Sequence, residues 1–180
     1  GIGDDYLHDV RAAIAFANDN RRAVAAAAAE ALRESLGIAV DWPSWFDVVH
    51  NSVTCERHGD RDLFVHRKGA SPANEGQCGI VPGSMGSRSF HVVGRGCAAA
   101  LCSSSHGAGR RFSRGEAARR ITVRDLERDL RAVFFERDLA PRLRDEAPAA
   151  YKDIGAVMRA QHELVAVART LRPVLSYKGV

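Results

Sequence analysis

The segment SSSHGAGRRFSR, which runs from Ser103 to Arg114, gathers residue types that suit covalent phosphate chemistry. A glycine-rich turn lets successive backbone N–H groups converge on an anion. An arginine beyond the turn can bind two phosphate oxygens at once through two parallel N–H groups. A neutral imidazole in such a turn is a nucleophile that attacks phosphorus to form a phosphoramidate. From the residues alone two interpretations stay open: His106 is a nucleophile, or it closes a capped loop by bonding a nearby carbonyl.

Three further segments carry polar residues that suit a binding site. In HNSV, His50 and the amide beside it follow an apolar pair, which fits a metal ligand with a polar contact, or a structural histidine. In HRKGASPA, Arg67 and Lys68 are strand neighbours that face opposite sides, so one of them is predicted to be a surface charge. The loop VPGSMGSRS offers Ser84 and Ser89 and fits either a nucleotide rim or an ordinary hairpin or Ω-loop.

The elements that must position these residues change type along the chain. Apolar residues recur at helical spacing from Asp5 to Leu36, and Gly37 predicts the end of that helix. Between Trp42 and Val93, β-rich runs divided by Gly, Pro, Asn and Asp predict strands and tight loops. These runs are WFDVVHNSV, LFVHRKGA, QCGIVPG and RSFHVVG.

The last third of the sequence is predicted to be helical. Two capping-box patterns predict helix starts: Ser113 with Glu116, and Thr122 with Asp125. A third helix is expected to begin near Pro148, to run through Val157 and Val165 towards Leu171, and to be closed by Pro173. The sequence therefore predicts an α+β fold that forms a single unit over residues 1–180.

Composition limits the classes of protein to which the chain can belong. Its 180 residues are 46% hydrophobic and 27% charged, as in a soluble globular protein, and the alanine run Ala23–Ala29 is too short to span a membrane. A net charge of +4 permits a polyanionic partner without demanding one. The arginine-rich interval Arg110–Arg131 fits either nucleic-acid binding or a solvated helix face.

The cysteines and the absence of a recognisable signal favour a cytoplasmic location. The four cysteines show neither a CxxC pair nor a zinc spacing, so free thiols in a reducing compartment are expected. No secretory signal is evident. The chain starts at Gly1 without a methionine, directly in a helical pattern, which predicts an excerpt or a processed product.

The order of the motifs resembles that of the RtcB family of RNA ligases. HN, HRKGA, PGSMG, SxSHGAGR with SR close behind, DEAPAAYKD and a terminal KG follow one another as in that family. YLHDVRAAIAFANDNRR is also similar to the helix that precedes the first of these motifs, so the resemblance extends from Tyr6 to Gly179. It implies an RtcB-like fold in which helices flank strands and glycine-rich loops.

The resemblance implies an activity that uses GTP and Mn²⁺. Members of the family join RNA ends that carry a 2′,3′-cyclic phosphate or 3′-phosphate to ends that carry a 5′-hydroxyl, through a guanylated histidine. The implied roles are tRNA splicing or RNA repair. His106 is the implied nucleophile that accepts GMP from GTP, and His50 matches a manganese-binding histidine.

The remaining site residues are also implied by the resemblance, position by position. The implied GTP- and GMP-binding residues are His50, Asn51, Pro82, Gly83, Ser84, Met85, Ser89, His106, Gly107, Ala108, Gly109, Tyr151 and Lys178. The implied RNA-phosphate residues are Lys68, Arg110 and Arg114.

Part of the family's site has no counterpart in this sequence. The other metal ligands of the family are an acidic residue, a cysteine and further histidines, one of them in a GNH motif, and they lie upstream of the part that this chain resembles. The sequence contains no GNH, and its four cysteines do not match the ligand cysteine. The chain therefore resembles the C-terminal portion of such a ligase, as an excerpt, a split subunit or a decayed copy.

Three functional hypotheses follow. The first is an RNA ligase that is incomplete alone and needs a separate N-terminal ligase segment as a partner. The second is a binding module, derived from such a ligase, that holds RNA ends or a guanine nucleotide without turnover. The third is a nucleotide-binding protein with unrelated chemistry, which requires His106→Ala to leave activity intact.

Overall fold

The computed structural model describes residues 1–179. The chain divides into two compact units, residues 1–68 and residue 69 onward, and each is described by itself. Helices and short antiparallel sheets are mixed in the chain, which confirms the predicted α+β class. The sequence predicted one folding unit over residues 1–180. Whether the two compact units fold together or separately is not tested by this division, so the single unit stays a prediction.

The first unit consists of one long helix and a two-stranded hairpin. Helix α1 spans Ile2–Leu36, and Gly37 ends it in the left-handed conformation with φ of +66°, as predicted. None of the 35 helical residues is buried. The hairpin pairs β1 (Asn51–His58) with β2 (Arg61–Lys68) in antiparallel register.

The N-terminal part of WFDVVHNSV is not a strand, so that prediction was wrong for residues 45–50. A single 3₁₀ turn forms at Trp42–Ser44, and the strand begins only at Asn51. The carboxylate of Asp47 accepts the backbone N–H of Val48 at 2.8 Å and two bonds from the Arg21 guanidinium, both at 2.8 Å. The bond to the Val48 N–H is local and competes with the hydrogen bonds of a strand, and the bonds from Arg21 hold Asp47 in this arrangement.

Two small sheets form the middle of the second unit. Strands β3 (Ala70–Pro72) and β6 (Ser103–Ser105) pair with each other. Strands β4 (Cys78–Val81), β5 (Ser89–Gly94) and β7 (Val165–Leu171) form the other sheet in the order β4, β5, β7. One face of this sheet packs on α4 (Ile154–Ala160) through a buried cluster. That cluster includes Val81, Phe90, Val92, Ile154, Met158 and Val165.

Both predicted capping patterns mark real helix starts. Ser113 Oγ accepts the N–H of Glu116 at 3.2 Å at the start of α2 (Arg114–Arg120). Thr122 and Asp125 form a reciprocal box at the start of α3 (Val123–Asp129). These two helices and the turns after them enclose a second buried cluster. Its largest members include Leu126, Leu130, Phe135 and Leu143.

The predicted third helix from Pro148 to Leu171 was wrong in its length. The chain forms a 3₁₀ turn at Pro148–Ala150, the short helix α4 and then strand β7. Asp153 caps α4 by accepting the N–H of Gly155 at 2.9 Å, and the segment VAVARTL after it contains the β-branched residues Val165, Val167 and Thr170. Such residues favour a strand, and β5 provides the partner that pairs with it.

The four cysteines are all free thiols, as predicted. Within residues 1–179, no helix is both long and apolar enough to cross a membrane.

Candidate functional site

The backbone around His106 is fixed from both sides. The N–H of His106 donates to the carbonyl of Gly69 at 3.2 Å, and the N–H of Ser105 donates to Oε1 of Gln161 at 2.9 Å. Ser105 Oγ also donates to the carbonyl of Gly107 at 2.6 Å, which closes the turn. The imidazole itself is half-buried. The strand end therefore presents His106 from a rigid position rather than from a loose loop.

The turn that contains His106 meets the second glycine-rich loop. A Cβ on Gly107 would lie 3.3 Å from the carbonyl oxygen of Pro82, so only glycine fits here without displacing a neighbour. Ala108 is buried in the cluster beneath the sheet, and Gly109 has a φ of +72°. These contacts bring together two segments that were predicted separately from the sequence.

The loop PGSMG connects β4 to β5 and is held by its own side chains. The hydroxyls of Ser84 and Ser87 are hydrogen-bonded at 2.7 Å, and the N–H of Gly83 donates to Ser89 Oγ at 3.4 Å. Met85 is buried in the helical cluster, where it anchors the loop. The loop is therefore a hairpin connection between β4 and β5, which was one of the two alternatives from the sequence. The hydroxyls of Ser84 and Ser89 line a cleft, so the other alternative, a nucleotide rim, stays a prediction.

One cleft in the second unit gathers most of the predicted nucleotide-binding residues. Its volume of about 380 Å³ is in the range of small-molecule sites. The predicted residues that line it are Pro82, Gly83, Ser84, Met85, Ser89, Tyr151 and Lys178. The opposite wall is formed by Glu146 and by the segment from Pro173 to Lys178. The terminal lysine that the KG motif singled out therefore lies at a cleft and not on a detached tail.

Glu146 is a cleft residue that the sequence reasoning missed. It lies in the motif DEAPAAYKD, but nothing in the motif distinguishes it from an ordinary solvent-exposed acid. In the structure its carboxylate accepts the hydroxyl of Tyr151 at 2.7 Å. Burial and then this hydrogen bond raise the pKa of Tyr151 to about 12, so Tyr151 keeps its proton at neutral pH and acts as the donor.

The two predicted RNA-phosphate arginines of this unit have different surroundings. Arg110 donates to the carbonyls of Phe112 and Asp145 and to the hydroxyl of Tyr151, and its guanidinium lies 4.9 Å from the Tyr151 ring centre. Arg114 is 73% exposed and contacts the carboxylate of Glu146 at 3.2 Å. Arg114 is thus the more accessible of the two for a phosphate, and Arg110 also supports Tyr151.

The first unit contains the other predicted site residues. His50, Asn51 and Lys68 line a groove of about 620 Å³ between α1 and the hairpin, and Asn51 is the register partner of Lys68. Lys68 is exposed whereas Arg67 is buried, which confirms that one of these two adjacent cations is a surface charge.

The described residues do not by themselves fit a manganese ion. Among residues 1–179, no group of three or more His, Cys, Asp or Glu side chains is placed to hold a metal. His50 alone offers too few ligands, because Mn²⁺ requires several nitrogen or oxygen donors. No chemical step is therefore assigned to a metal here.

Gln161 is a second residue that the sequence reasoning missed. It is buried at the end of α4, and its side chain accepts the Ser105 N–H across 56 positions of sequence. We expect Gln161→Leu to lower the free energy of unfolding by about 1–3 kcal/mol, because a partly buried N–H beside His106 loses its acceptor. Differential scanning calorimetry, which follows the buried clusters of the second unit, measures the loss. The exposed neighbour His162, changed to alanine, is the control, and equal stability of both variants would contradict the role of Gln161.

Comparisons with known proteins agree with the motif order. A family model described as tRNA-splicing ligase RtcB matches residues 2–179. The RNA-splicing ligase RtcB of Escherichia coli is 43% identical over 181 residues, which cover 98% of this chain and 44% of that protein. The tRNA-splicing ligase RtcB of Nanoarchaeum equitans is 33% identical, over 97% of this chain and 42% of that protein. The chain thus spans less than half the length of these curated relatives.

Proposed function

Because this chain belongs to the RtcB family, we propose that it carries the guanylate-accepting part of an RNA ligase that uses GTP and Mn²⁺. In this proposal the ligase joins 2′,3′-cyclic phosphate or 3′-phosphate RNA ends to 5′-hydroxyl ends. The observation that carries the proposal is the contact between the His106 turn and the PGSMG loop beside one cleft. This contact supports the proposal, because it joins the turn of the proposed nucleophile to a loop that lines a cleft of small-molecule size.

In the proposed first step, a neutral ring nitrogen of His106 attacks the α-phosphorus of GTP. A P–N bond forms, the bond to the β-phosphate oxygen breaks, and pyrophosphate leaves. The RNA 3′-phosphate then takes the GMP from the histidine, and the 5′-hydroxyl displaces GMP to complete the phosphodiester. Such transfers depend mainly on positioning and on neutralising the phosphate oxygens.

Individual residues of the chain support these steps in different ways. The fixed backbone around Ser105 and Gly107 orients the imidazole. The exposed guanidinium of Arg114 suits an RNA phosphate, because an arginine fork binds phosphate oxygens in pairs. The hydroxyls of Ser84 and Ser89 suit polar atoms of the nucleotide.

We propose that most ligands of the Mn²⁺ come from the part of the ligase that the relatives carry beyond the matched region. When bound, the metal would neutralise phosphate oxygens during transfer. In the first unit His50 would contribute one nitrogen ligand.

The test is whether the chain forms an acid-labile adduct with GTP labelled at the α-phosphate, in the presence of MnCl₂. The reaction is run with the chain alone and with the remaining segment of an RtcB relative supplied as a separate polypeptide. We expect His106→Ala to abolish the label and His162→Ala, which changes an exposed histidine outside the turn, to retain it. Label that persists in His106→Ala would exclude the proposed nucleophile.

A non-catalytic module that binds RNA ends or guanine nucleotide is the second candidate. The observation that favours it is the lack, among residues 1–179, of a side-chain group that would hold a metal. No label in either arrangement, together with saturable binding of a 3′-phosphorylated RNA that Arg114→Ala weakens, would support this module over the ligase.

A further inference from the structure

The carboxylate of Glu146 contacts four residues that were predicted to bind nucleotide or RNA. Oε2 accepts the Tyr151 hydroxyl at 2.7 Å and lies 3.7 Å from Lys178 Nζ. Oε1 lies 3.4 Å from Nη1 of Arg110 and 3.2 Å from Nη1 of Arg114. One side chain therefore links the two predicted nucleotide-binding residues with the two predicted RNA-phosphate residues.

The backbone that carries Glu146 is rigid. Glu146 ends the 3₁₀ turn Arg144–Glu146, and its N–H donates to the carbonyl of Leu143 at 3.0 Å. Leu143 and Ala147, on either side of this turn, are both buried in the helical cluster. The carboxylate thus projects from a fixed point towards the cleft, which is what a residue that orients others requires.

Glu146 stays ionised at neutral pH in spite of its partial burial. Burial alone would raise its pKa, but the Tyr151 hydrogen bond and the charges of Lys178, Arg114 and Arg110 outweigh burial and lower it. The side chain is only 16% exposed, so its interactions with these partners are screened by water less than those of a surface pair.

The segment that carries Lys178 is tied to the body of the unit at two places. Further upstream, the N–H of Phe134 donates to the carbonyl of Val174 at 2.9 Å, and the N–H of Ser176 donates to the carbonyl of Phe134 at 2.8 Å. At its end, Lys178 pairs with Glu146. Residues 173–178 form one wall of the cleft, and Lys178 is the cation of that wall. Its ion pair with Glu146 therefore holds the end of the wall in place.

We propose that Glu146 is a positioning residue, which holds Tyr151 and Lys178 at the cleft and keeps Arg114 beside it. The role in catalysis rests on the proposed function, whereas the positions of the side chains do not. The ligand that we propose for the cleft is the guanine nucleotide of the proposed function. Glu146 acts through Tyr151 and Lys178 and not by contact with the reacting atoms.

The test compares Glu146→Gln with Asp145→Asn. Asp145 is the adjacent acid, and its carboxylate pairs with Arg114 at 3.5 Å, so the control removes the same charge from the same turn. The first readout is competitive acetylation of lysines by limiting acetic anhydride, followed by mass spectrometry. Lys68 and Lys152 are internal references, because they and Lys178 are the lysines of the chain.

We expect Glu146→Gln to raise the acetylation rate of Lys178 about threefold, because release of an ion-paired ammonium is worth roughly this factor. The rates at Lys68 and Lys152 should stay unchanged, and Asp145→Asn should leave Lys178 unchanged. Amide hydrogen exchange over residues 174–178 should rise in Glu146→Gln by about the same factor. Lys178→Met, which alters an exposed partner only, should reproduce the exchange result if Glu146→Gln folds poorly.

The second readout separates positioning from a purely structural role. In the adduct assay, Glu146→Gln is expected to raise the GTP concentration that gives half the maximal labelling rate by about tenfold and to change the maximal labelling rate by less than about twofold. Unchanged acetylation and exchange in Glu146→Gln would overturn the proposal. An unchanged half-saturating GTP concentration would overturn its catalytic part. If His106 takes no label, the proposed function fails, and the acetylation and exchange results still decide whether Glu146 positions Lys178.

Discussion

Gly83→Ala is expected to destabilise the second unit by about 3 kcal/mol or more and to remove nucleotide labelling of His106. A Cβ at this position would lie 2.3 Å from the carbonyl oxygen of Arg88 and 2.8 Å from Cβ of Ser87. The first contact is with backbone, so no side-chain rotation relieves it. The loop between β4 and β5 must open, which moves Ser84 and the wall of the cleft.

Differential scanning calorimetry, which follows the buried clusters of the second unit, measures the stability, and adduct formation is measured at a temperature at which the variant is folded. Gly115→Ala is the matched control, because Gly115 lies in α2 and an added Cβ there meets only the flexible end of Arg119 at 3.6 Å. That control should gain about 0.5–1 kcal/mol from helix propensity. Wild-type stability and labelling in Gly83→Ala would show that the loop does not have the described close packing.

Glu56→Ala is expected to lower the stability of the first unit by about 3–5 kcal/mol. Both carboxylate oxygens of Glu56 bond the guanidinium of Arg67, one of them at 2.8 Å, and the Arg67 side chain is only 1% exposed. Removal of Glu56 takes the carboxylate partner from this buried cation. The cost is large because the guanidinium of Arg67 stays buried after its carboxylate partner is removed.

The control for Glu56→Ala is Asp62→Asn in the same hairpin. Asp62 pairs with Arg57 at 3.2 Å, but both side chains are well exposed, so a loss below about 0.5 kcal/mol is expected. Urea unfolding of both variants, followed by circular dichroism, provides the comparison. Equal losses would mean that the Glu56–Arg67 pair behaves as a surface pair.

The same pair predicts how stability depends on acid. The hydrogen bond from Arg67, more than any other contact, lowers the pKa of Glu56 to about 2. The folded-state pKa lies below that of an unfolded glutamate, which is about 4.3. The ion pair therefore makes its full contribution to the free energy of unfolding above about pH 4.3, and this contribution is lost as the pH falls towards 2. Wild type should therefore lose this contribution between these pH values, and Glu56→Ala should not.

Features that depend on neighbours in sequence could be predicted from the sequence. Gly37 ends α1, and the side-chain caps at Ser113 and Thr122 start α2 and α3, because each signal acts within one helical turn. The opposite facing of Arg67 and Lys68 also followed from the two-residue repeat of a strand.

Features that depend on distant partners could not be predicted. The segment from Val165 to Leu171 is a strand because β5 lies beside it, and its own residues fitted a helix pattern nearly as well. Gln161 and Glu146 are ordinary polar residues in the sequence. They became candidates only when the fold placed Ser105 against one and Tyr151 against the other.

The metal ligands are a different case. The motif resemblance assigned His50, but no arrangement of the described residues completes a metal site. A site whose ligands are shared between distant segments leaves no local pattern in either segment alone. The residues named for it therefore stay a prediction.

Helix α1 has a consequence for how unfolding of this protein is measured. None of its 35 residues is buried, although they make up about a fifth of the 180-residue chain. Melting this helix exposes little new apolar surface, so it adds little to the heat-capacity change or to the denaturant m-value. Its ellipticity at 222 nm is nevertheless large. A circular dichroism melt weights α1 heavily, whereas calorimetry weights the buried clusters, and the two methods will report different transitions in one protein.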